Sequence, residues 1–548
     1  MNIERSRNAK RNITVGVVNK IFALVLPFVI RTVMIRTLGA EYLGLDSLFT
    51  SILQVLNITE LGVSSAIVYS MYEPIANDDK KMVCALLNLY KKVYRYIGII
   101  IFVLGIMMVP FLTYFISDSP TVGGGIPDHI NLYLIYVIYL INTVIGYLLF
   151  AYKTAIPNAI QRLDIVTNVN TITKILLSIL QVGVLLILSR MKDGKEIAYY
   201  TYILMLPICT IINNLLISFL VNRYYPEYKC YGGVPDSLKR SIKIKISGLL
   251  INKICGTTRN ALDSICISAF LGLTLTTMYN NYFYVITALI SIVSVITTSI
   301  LAGVGNSIIT ESREKNYEDF RKMNFLYMWI CGWCTITMLS LYQPFMELWV
   351  GKKYMFPYGI VVCFCIYFYT LKMGDLRGLY SDAAGLWWEN RYRAIIESVM
   401  NIILNIVLVQ IWGIYGIIIA TLSSLFIVNF GFGSQIVFKY YFKNNKLWQY
   451  FGDHARYLSV TFIISIITLV TCNVINNFLC QNIWIQGNNN TILILGINGL
   501  VTLIVPNIMY ILFYRQTKTY RKAIEWIMLR VKIHSDLAKR ILLPKENN

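Results

Sequence analysis

Long apolar runs broken by short polar stretches set the pattern of this chain. Fourteen such runs can be read, at roughly 12–38, 45–71, 95–116, 130–151, 165–189, 197–221, 247–271, 276–305, 324–345, 357–376, 393–412, 414–438, 457–479 and 491–514. Each holds about 20 residues or more, enough for a helix to cross a hydrocarbon core of about 30 Å. The pattern predicts an all-α polytopic membrane protein with about 14 transmembrane helices. The connections are too short for a further domain. The longest, 222–246, carries YYPEYKCYGGVPDSLKRSIKIK.

Composition agrees, with 56% hydrophobic and 14% charged residues. Charge then orients the chain. Of the 49 Lys and Arg residues, 37 lie in the N-terminal stretch, the even-numbered connections and the tail, and only six (Arg36, Arg190, Lys192, Lys195, Lys352 and Lys353) lie in or beside the odd-numbered ones. Cationic loops stay in the cytosol, so both termini are expected there, in a bacterial inner membrane. The net charge of +21 is accounted for by loops meeting anionic lipid head groups. No groove-reading motif is present and no nucleic-acid partner is expected. The first helix, preceded by Arg5, Arg7, Lys10 and Arg11, is expected to be an uncleaved insertion signal. The cysteines are scattered. Cys331 and Cys334 form a CxxC inside an apolar run with no second pair, so no metal site and no cofactor is expected.

A weak repeat links the first and seventh runs. Val18-Asn19-Lys20-Ile21 opens one and Ile251-Asn252-Lys253-Ile254 the other, while Leu38-Gly39 and Leu271-Gly272 keep the same offset of 233 residues. Six runs separate them, so the halves share one orientation and a pseudo-two-fold axis along the membrane normal is expected. The expected division is a six-helix lobe at 1–222, a cytosolic hinge at 223–246, a second six-helix lobe at 247–440, helices 13 and 14 at 441–514, and a basic amphipathic cytosolic tail at 515–548.

A cation at mid-helix costs about 2.5–3.5 kcal/mol on insertion scales. Six remain inside the runs: Lys20 and Arg31 in the first, Lys174 in the fifth, Lys253 and Arg259 in the seventh, and Lys372 in the tenth. They concentrate in the two runs that open the repeats. In the seventh, Asn252, Gly256, Arg259 and Asp263 fall on one helical face beside Lys253, Thr257, Asn260 and Ser264, a polar stripe that must meet protein or water. In the first, Lys20, Ala23, Pro27 and Arg31 share a face, and Pro27 is expected to kink the helix and serve gating. One reading makes these buried ion pairs: Glu60 with Lys20 or Arg31, Arg259 with Asp263, Lys372 with Asp375. The other makes them the wall of a cationic cavity. Six cations against Glu60, Asp263, Asp375 and Glu397 leave an excess of two, which favours an anionic guest such as a diphosphate or acidic sugar. Glu397, Asn401 and Asn405, one turn apart, read as interhelical hydrogen bonds instead.

The segments TLGAEYLGL (37–45), ELGVSSAIVYSMYEP (60–74), FLGLTLTTMYNNY (270–282) and IWGIYGIIIATLSS (411–424) together resemble the polysaccharide flippases, the Wzx-type members of the multidrug/oligosaccharidyl-lipid/polysaccharide exporter superfamily. The resemblance covers most of the chain as an ordered set of pieces, none a strict motif. It implies two six-helix lobes with alternating access, and a non-enzymatic flippase that carries a polyprenyl-diphosphate-linked oligosaccharide from the cytosolic to the outer leaflet. It also implies membrane lipids and a polysaccharide polymerase as partners, in O-antigen or capsule synthesis. Cationic residues of the lobes' first helices line the cavity in such families, and Arg31, Lys253 and Arg259 lie in the corresponding helices. Substrate binding is accordingly assigned to Lys20, Arg31, Lys174, Lys253, Arg259 and Lys372, pairing or coupling to Glu60, Asp263 and Asp375, and gating to Pro27. The alternatives are a drug or cation antiporter of the same superfamily, whose cavity should be acidic, and a membrane-embedded glycan polymerase or glycosyltransferase, which would need larger charged external loops.

Overall fold

A computed structural model describes residues 5–57, 63–117, 125–127, 129–191, 194–443, 446–482 and 488–531. Side chains at 243–255 and 257–260, among others, fall outside the description. Among the described residues everything regular is helical. Apolar composition alone would give helix here, because a spanning segment has to satisfy its own backbone. Polar caps then fix several starts. The Asp79 carboxylate accepts from Met82 N at 3.0 Å, the Asn131 side chain from Leu134 N at 3.1 Å and Ser312 Oγ from Lys315 N at 3.2 Å.

The chain divides into two compact units, Met1–Asn280 and Asn281–Asn548. The first holds α1 (Arg5–Thr37), α2 (Ala40–Leu56), α3 (Val63–Ala76), α4 (Lys80–Met108), α5 (Leu132–Leu148), α6 (Ala155–Ala159), α7 (Leu163–Leu188), α8 (Gly194–Tyr224) and α9 (Asp236–Leu271), and ends in the first turns of α10 (Leu273–Thr310). Here α7 lies between α1 and α8, α5 joins α4 to α8, and α9 packs on α2. The second unit adds α11 (Arg313–Val350), α12 (Tyr358–Met373), α13 (Asp375–Ala383), α14 (Arg391–Trp412), α15 (Ile414–Ser424), α16 (Gly433–Val437), α17 (Leu447–Asn482), α18 (Asn488–Tyr514) and α19 (Lys518–Val531). Its hub is α11, which touches α12, α17, α18 and α19.

Among the described residues, 11 helices are long and apolar enough to cross a membrane, or 12 if Leu132–Leu148 and Ala151–Ala159, bent by 51°, form one span. This is a multi-span membrane protein. The other two expected segments, the second and the seventh, run through residues outside the description, so a total of 14 stays a proposal. Two details differ from the pattern. The run at 130–151 does not continue straight, because Phe150 takes a left-handed conformation (φ 56°) and the chain turns into α6. The tail helix α19 lays Tyr520, Ala523, Ile524 and Met528 against protein, chiefly α11, instead of leaving that face to lipid. Residues 532–548 are outside the description.

Candidate functional site

The expected site residues fall into four places. On α1, Lys20 is exposed, and Pro27 lies inside one uninterrupted helical assignment. Asn19, the residue before Lys20, donates to Thr171 Oγ1 of α7 at 2.5 Å. Lys174, one turn further along α7, is also exposed. Lys20 and Lys174 thus each lie within a turn of the Asn19–Thr171 contact between α1 and α7, a neighbourhood that no sequence periodicity could give.

Near the other end of α1, Arg31 Nη2 lies 3.4 Å from Ser47 Oγ on α2 and within electrostatic reach of Asp46. Asp46 itself accepts a short hydrogen bond from Tyr139 OH on α5. The sequence reading missed Asp46, which sits at the edge of the second apolar run. Its signal was available, since Asp46 is the only carboxylate between Glu41 and Glu60.

The seventh run is the least described. Glu60 lies outside the described residues, and so do the side chains of Lys253 and Arg259. Further along α9, Asp263 is 1% exposed and accepts from Tyr279 OH at 3.1 Å, and Ser264 Oγ donates to Asn280 Oδ1 at 3.1 Å. The lower half of the polar stripe therefore meets protein, namely the first turns of α10.

The repeat offset reappears as a contact. Gly39 and Gly272 both adopt positive φ (125° and 91°) and break the chain before α2 and α10. Thr274 Oγ1 donates to Glu41 Oε1 at 3.2 Å, and Thr277 Oγ1 to the Ala40 carbonyl at 2.6 Å. Glu41 and Thr274 are 233 positions apart, the spacing of the repeat itself. A residue can bond its own repeat mate only close to the axis that relates the two. Gly44 faces the Leu273 carbonyl so closely that a Cβ would lie 2.4 Å from its oxygen, so a side chain at 44 would part these turns.

In the second unit the expected cation is paired. Lys372, 3% exposed, donates to Asp375 Oδ2 at 2.7 Å, and Tyr327 OH of α11 donates to the same oxygen at 2.5 Å. Beside them runs a network that the sequence reading did not foresee. Arg377, counted there as a loop cation, is only 4% exposed and donates to Asn429 Oδ1 at 2.9 Å. Asn429 Nδ2 donates to Glu397 at 3.0 Å, and Arg393 Nη1 to the same carboxylate at 2.7 Å. Asn429 stands in a π-helical stretch, Leu425–Phe432, whose wider turn no hydrophobic period announces. Asn401 Nδ2 reaches across to Thr421 Oγ1 at 3.0 Å. The charge balance shifts with this revision: Glu397 is engaged by Arg393 and leaves the count, while Asp46 and Arg377 enter it, so cations still outnumber carboxylates. Cys331 and Cys334 are buried in α11, and no group of three metal-ligating side chains occurs among the described residues.

No family model and no curated protein matches the chain. Solved structures do. It is similar to the lipid II flippase MurJ in an inward closed conformation, with a TM-score of 0.64 at 14% identity over 92% of this chain and 99% of that one. It has the fold of a membrane transporter. Two further likenesses extend this. An inward-facing multidrug resistance MATE family transporter of the MOP superfamily matches with a TM-score of 0.56 at 13% identity, over 76% of this chain and 94% of that one. A Vibrio cholerae MATE transporter matches at 0.52 and 14% identity, over 81% and 99%. At these identities the shared property is the fold.

Proposed function

We propose that this protein is a flippase of the Wzx type, moving polyprenyl-diphosphate-linked oligosaccharide units from the cytosolic to the outer leaflet for cell-surface polysaccharide synthesis. The observation that carries the reading is the likeness to a lipid-linked-substrate flippase along 92% of the chain, taken with the excess of intramembrane cations. The MATE transporters match a smaller share, 76% and 81%, and a drug-cation antiporter would gain nothing from a basic cavity. Arg31, Lys253 and Arg259 meet the diphosphate and acidic sugars, while Lys20 and Lys174 extend the basic surface along the α1–α7 seam. Arg pairs with phosphate oxygens through charge-assisted hydrogen bonds, and a low-dielectric setting strengthens them. The polyprenyl tail stays in lipid.

In this mechanism the two repeats alternate access about the site. The turns pinned by Thr277 on Ala40 and Thr274 on Glu41 part when the site opens on their side. The positive-inside orientation makes that side the outer one, in a bacterial inner membrane with both termini cytosolic. The polymerase that consumes the flipped unit is the natural partner.

The test is depletion of the protein in its host, followed by an impermeant lectin on spheroplasts. Complete lipid-linked units accumulating on the inner leaflet support the flippase. Units that reach the outer leaflet and stay unpolymerised transfer the function to a polymerase.

A further inference from the structure

The first unit contains a polar cavity of about 420 Å³. Five asparagines face it: Asn57 from the end of α2, Asn142 from α5, Asn170 from α7, and Asn213 and Asn214 from α8. Among the described residues that line it, none carries a charge. Its size lies within the range of ligand pockets, about 300–1,000 Å³. One water takes about 30 Å³, so a single bridging water would leave most of it unfilled.

The hydrogen bonding is partly complete. Thr210 Oγ1 donates to Asn142 Oδ1 at 2.7 Å, Thr173 Oγ1 to Asn213 Oδ1 at 2.8 Å, and Asn213 Nδ2 to Asn170 Oδ1 at 3.0 Å. The lining offers amide donors and acceptors together, with no cation to hold an anion and no carboxylate to hold a metal ion among the described residues. A hydroxyl or acetamido group both donates and accepts. On one wall Tyr94 and Tyr147, with ring centroids 5.6 Å apart, offer an apolar surface suited to the C–H face of a sugar ring.

We propose that this cavity is a subsite for a neutral sugar residue of the cargo. It rests on the flippase reading and deepens it: the basic residues hold the diphosphate and the amide pocket reads the glycan. Ala151 and Thr154, from the short connection between α5 and α6, also line the cavity. The charge distribution assigns that connection to the cytosol, where a unit awaiting transport is found. Sugar discrimination therefore occurs before translocation, by uncharged hydrogen bonds.

The experiment is a binding titration of the full-length protein in nanodiscs, read by native mass spectrometry. Its two probes are polyprenyl diphosphate and the same lipid bearing an N-acetylhexosamine disaccharide. The wild type should prefer the glycosylated lipid by about tenfold, the worth of one or two net hydrogen bonds. Asn214→Leu and Asn142→Leu should cut that preference to about twofold or less and leave affinity for the bare lipid unchanged. Equal binding of the two lipids by the wild type, or full preference retained in both variants, overturns the subsite and leaves the flippase reading standing. Sodium-dependent stabilisation of the wild type that Asn214→Leu abolishes, without lipid discrimination, assigns the pocket to a cation instead. If the wild type binds neither lipid, both readings fall. Should Asn214→Leu lose bare-lipid binding through misfolding, Asn57→Ser decides by the same criterion.

Discussion

The two compact units handle intramembrane charge in opposite ways. In Asn281–Asn548, Lys372 and Arg377 are buried and each is met by a named side chain, Asp375 in one case and Asn429 in the other. In Met1–Asn280, Lys20 and Lys174 are exposed, and Arg31 is half-buried against a hydroxyl with Asp46 nearby. A buried pair repays little net stability but becomes costly once one partner is removed. A cation in a membrane helix is costly and faces protein, a water-filled cavity or the interface. The contrast teaches that a charge count along the sequence mixes two populations.

The contrast can be broken most forcefully in the second unit. Lys372→Met leaves Asp375, whose side chain is 26% exposed, with only the Tyr327 hydroxyl, and should destabilise the protein by about 2–3 kcal/mol, less than breaking a fully buried pair. The expected readout is a large fall in membrane abundance and melting temperature. The double variant Lys372→Met/Asp375→Leu should recover most of it, since an apolar pair of similar volume replaces the ions. If the single variant is stable but inactive, Lys372 belongs with the cargo-binding cations after all.

The complementary test lies in the first unit. Arg31→Gln and Arg259→Ala should each lower export by about tenfold or more, the loss of one charge-assisted contact, with abundance unchanged. Export at the wild-type level in Arg259→Ala would remove that residue from the site. A smaller effect is expected at the repeat contact. Thr277→Val loses the hydrogen bond to the Ala40 carbonyl at 2.6 Å, worth about 1 kcal/mol. It should ease opening of those turns, seen as faster labelling of a cysteine placed at Leu38. Unchanged labelling would mean that the contact is not a seal.

How much of this could be read from the chain follows from what a period encodes. Apolar runs located nearly every long helix among the described residues, because insertion itself reads apolar length. Periodicity also placed Glu397, Asn401 and Asn405 on one face of α14, and the structure finds all three buried. A period says which residues share a face, never which helix covers it. Hence Arg377 was assigned to a loop although α13 carries it into the protein, and Asp46 was overlooked although Tyr139 of α5 reaches it. The amide pocket was invisible for the same reason. Its five asparagines come from four helices, and single asparagines in apolar runs carry no spacing. Lys253, Arg259 and Glu60 remain where the chain alone put them, in proposals.

The smallest predicted effect concerns orientation. Burial pushes the Cys230 thiol up, the first of several causes, and the thiolate is the reactive form. In opened vesicles Cys230 should therefore label slowly at pH 7 and faster as pH rises through 9, while Cys480 labels from the outside of intact cells. Labelling of Cys230 in intact cells would reverse the topology.

The proposed function requires that first-unit cations move a lipid-linked glycan. The most direct measurement uses purified protein in liposomes loaded with a polyprenyl-diphosphate disaccharide, with an impermeant lectin following arrival of the sugar at the outer leaflet. Transfer by the wild type, lost in Arg31→Gln although the protein stays folded and inserted, is the predicted result. No transfer by active-folded wild type, or equal transfer by both proteins, would contradict it.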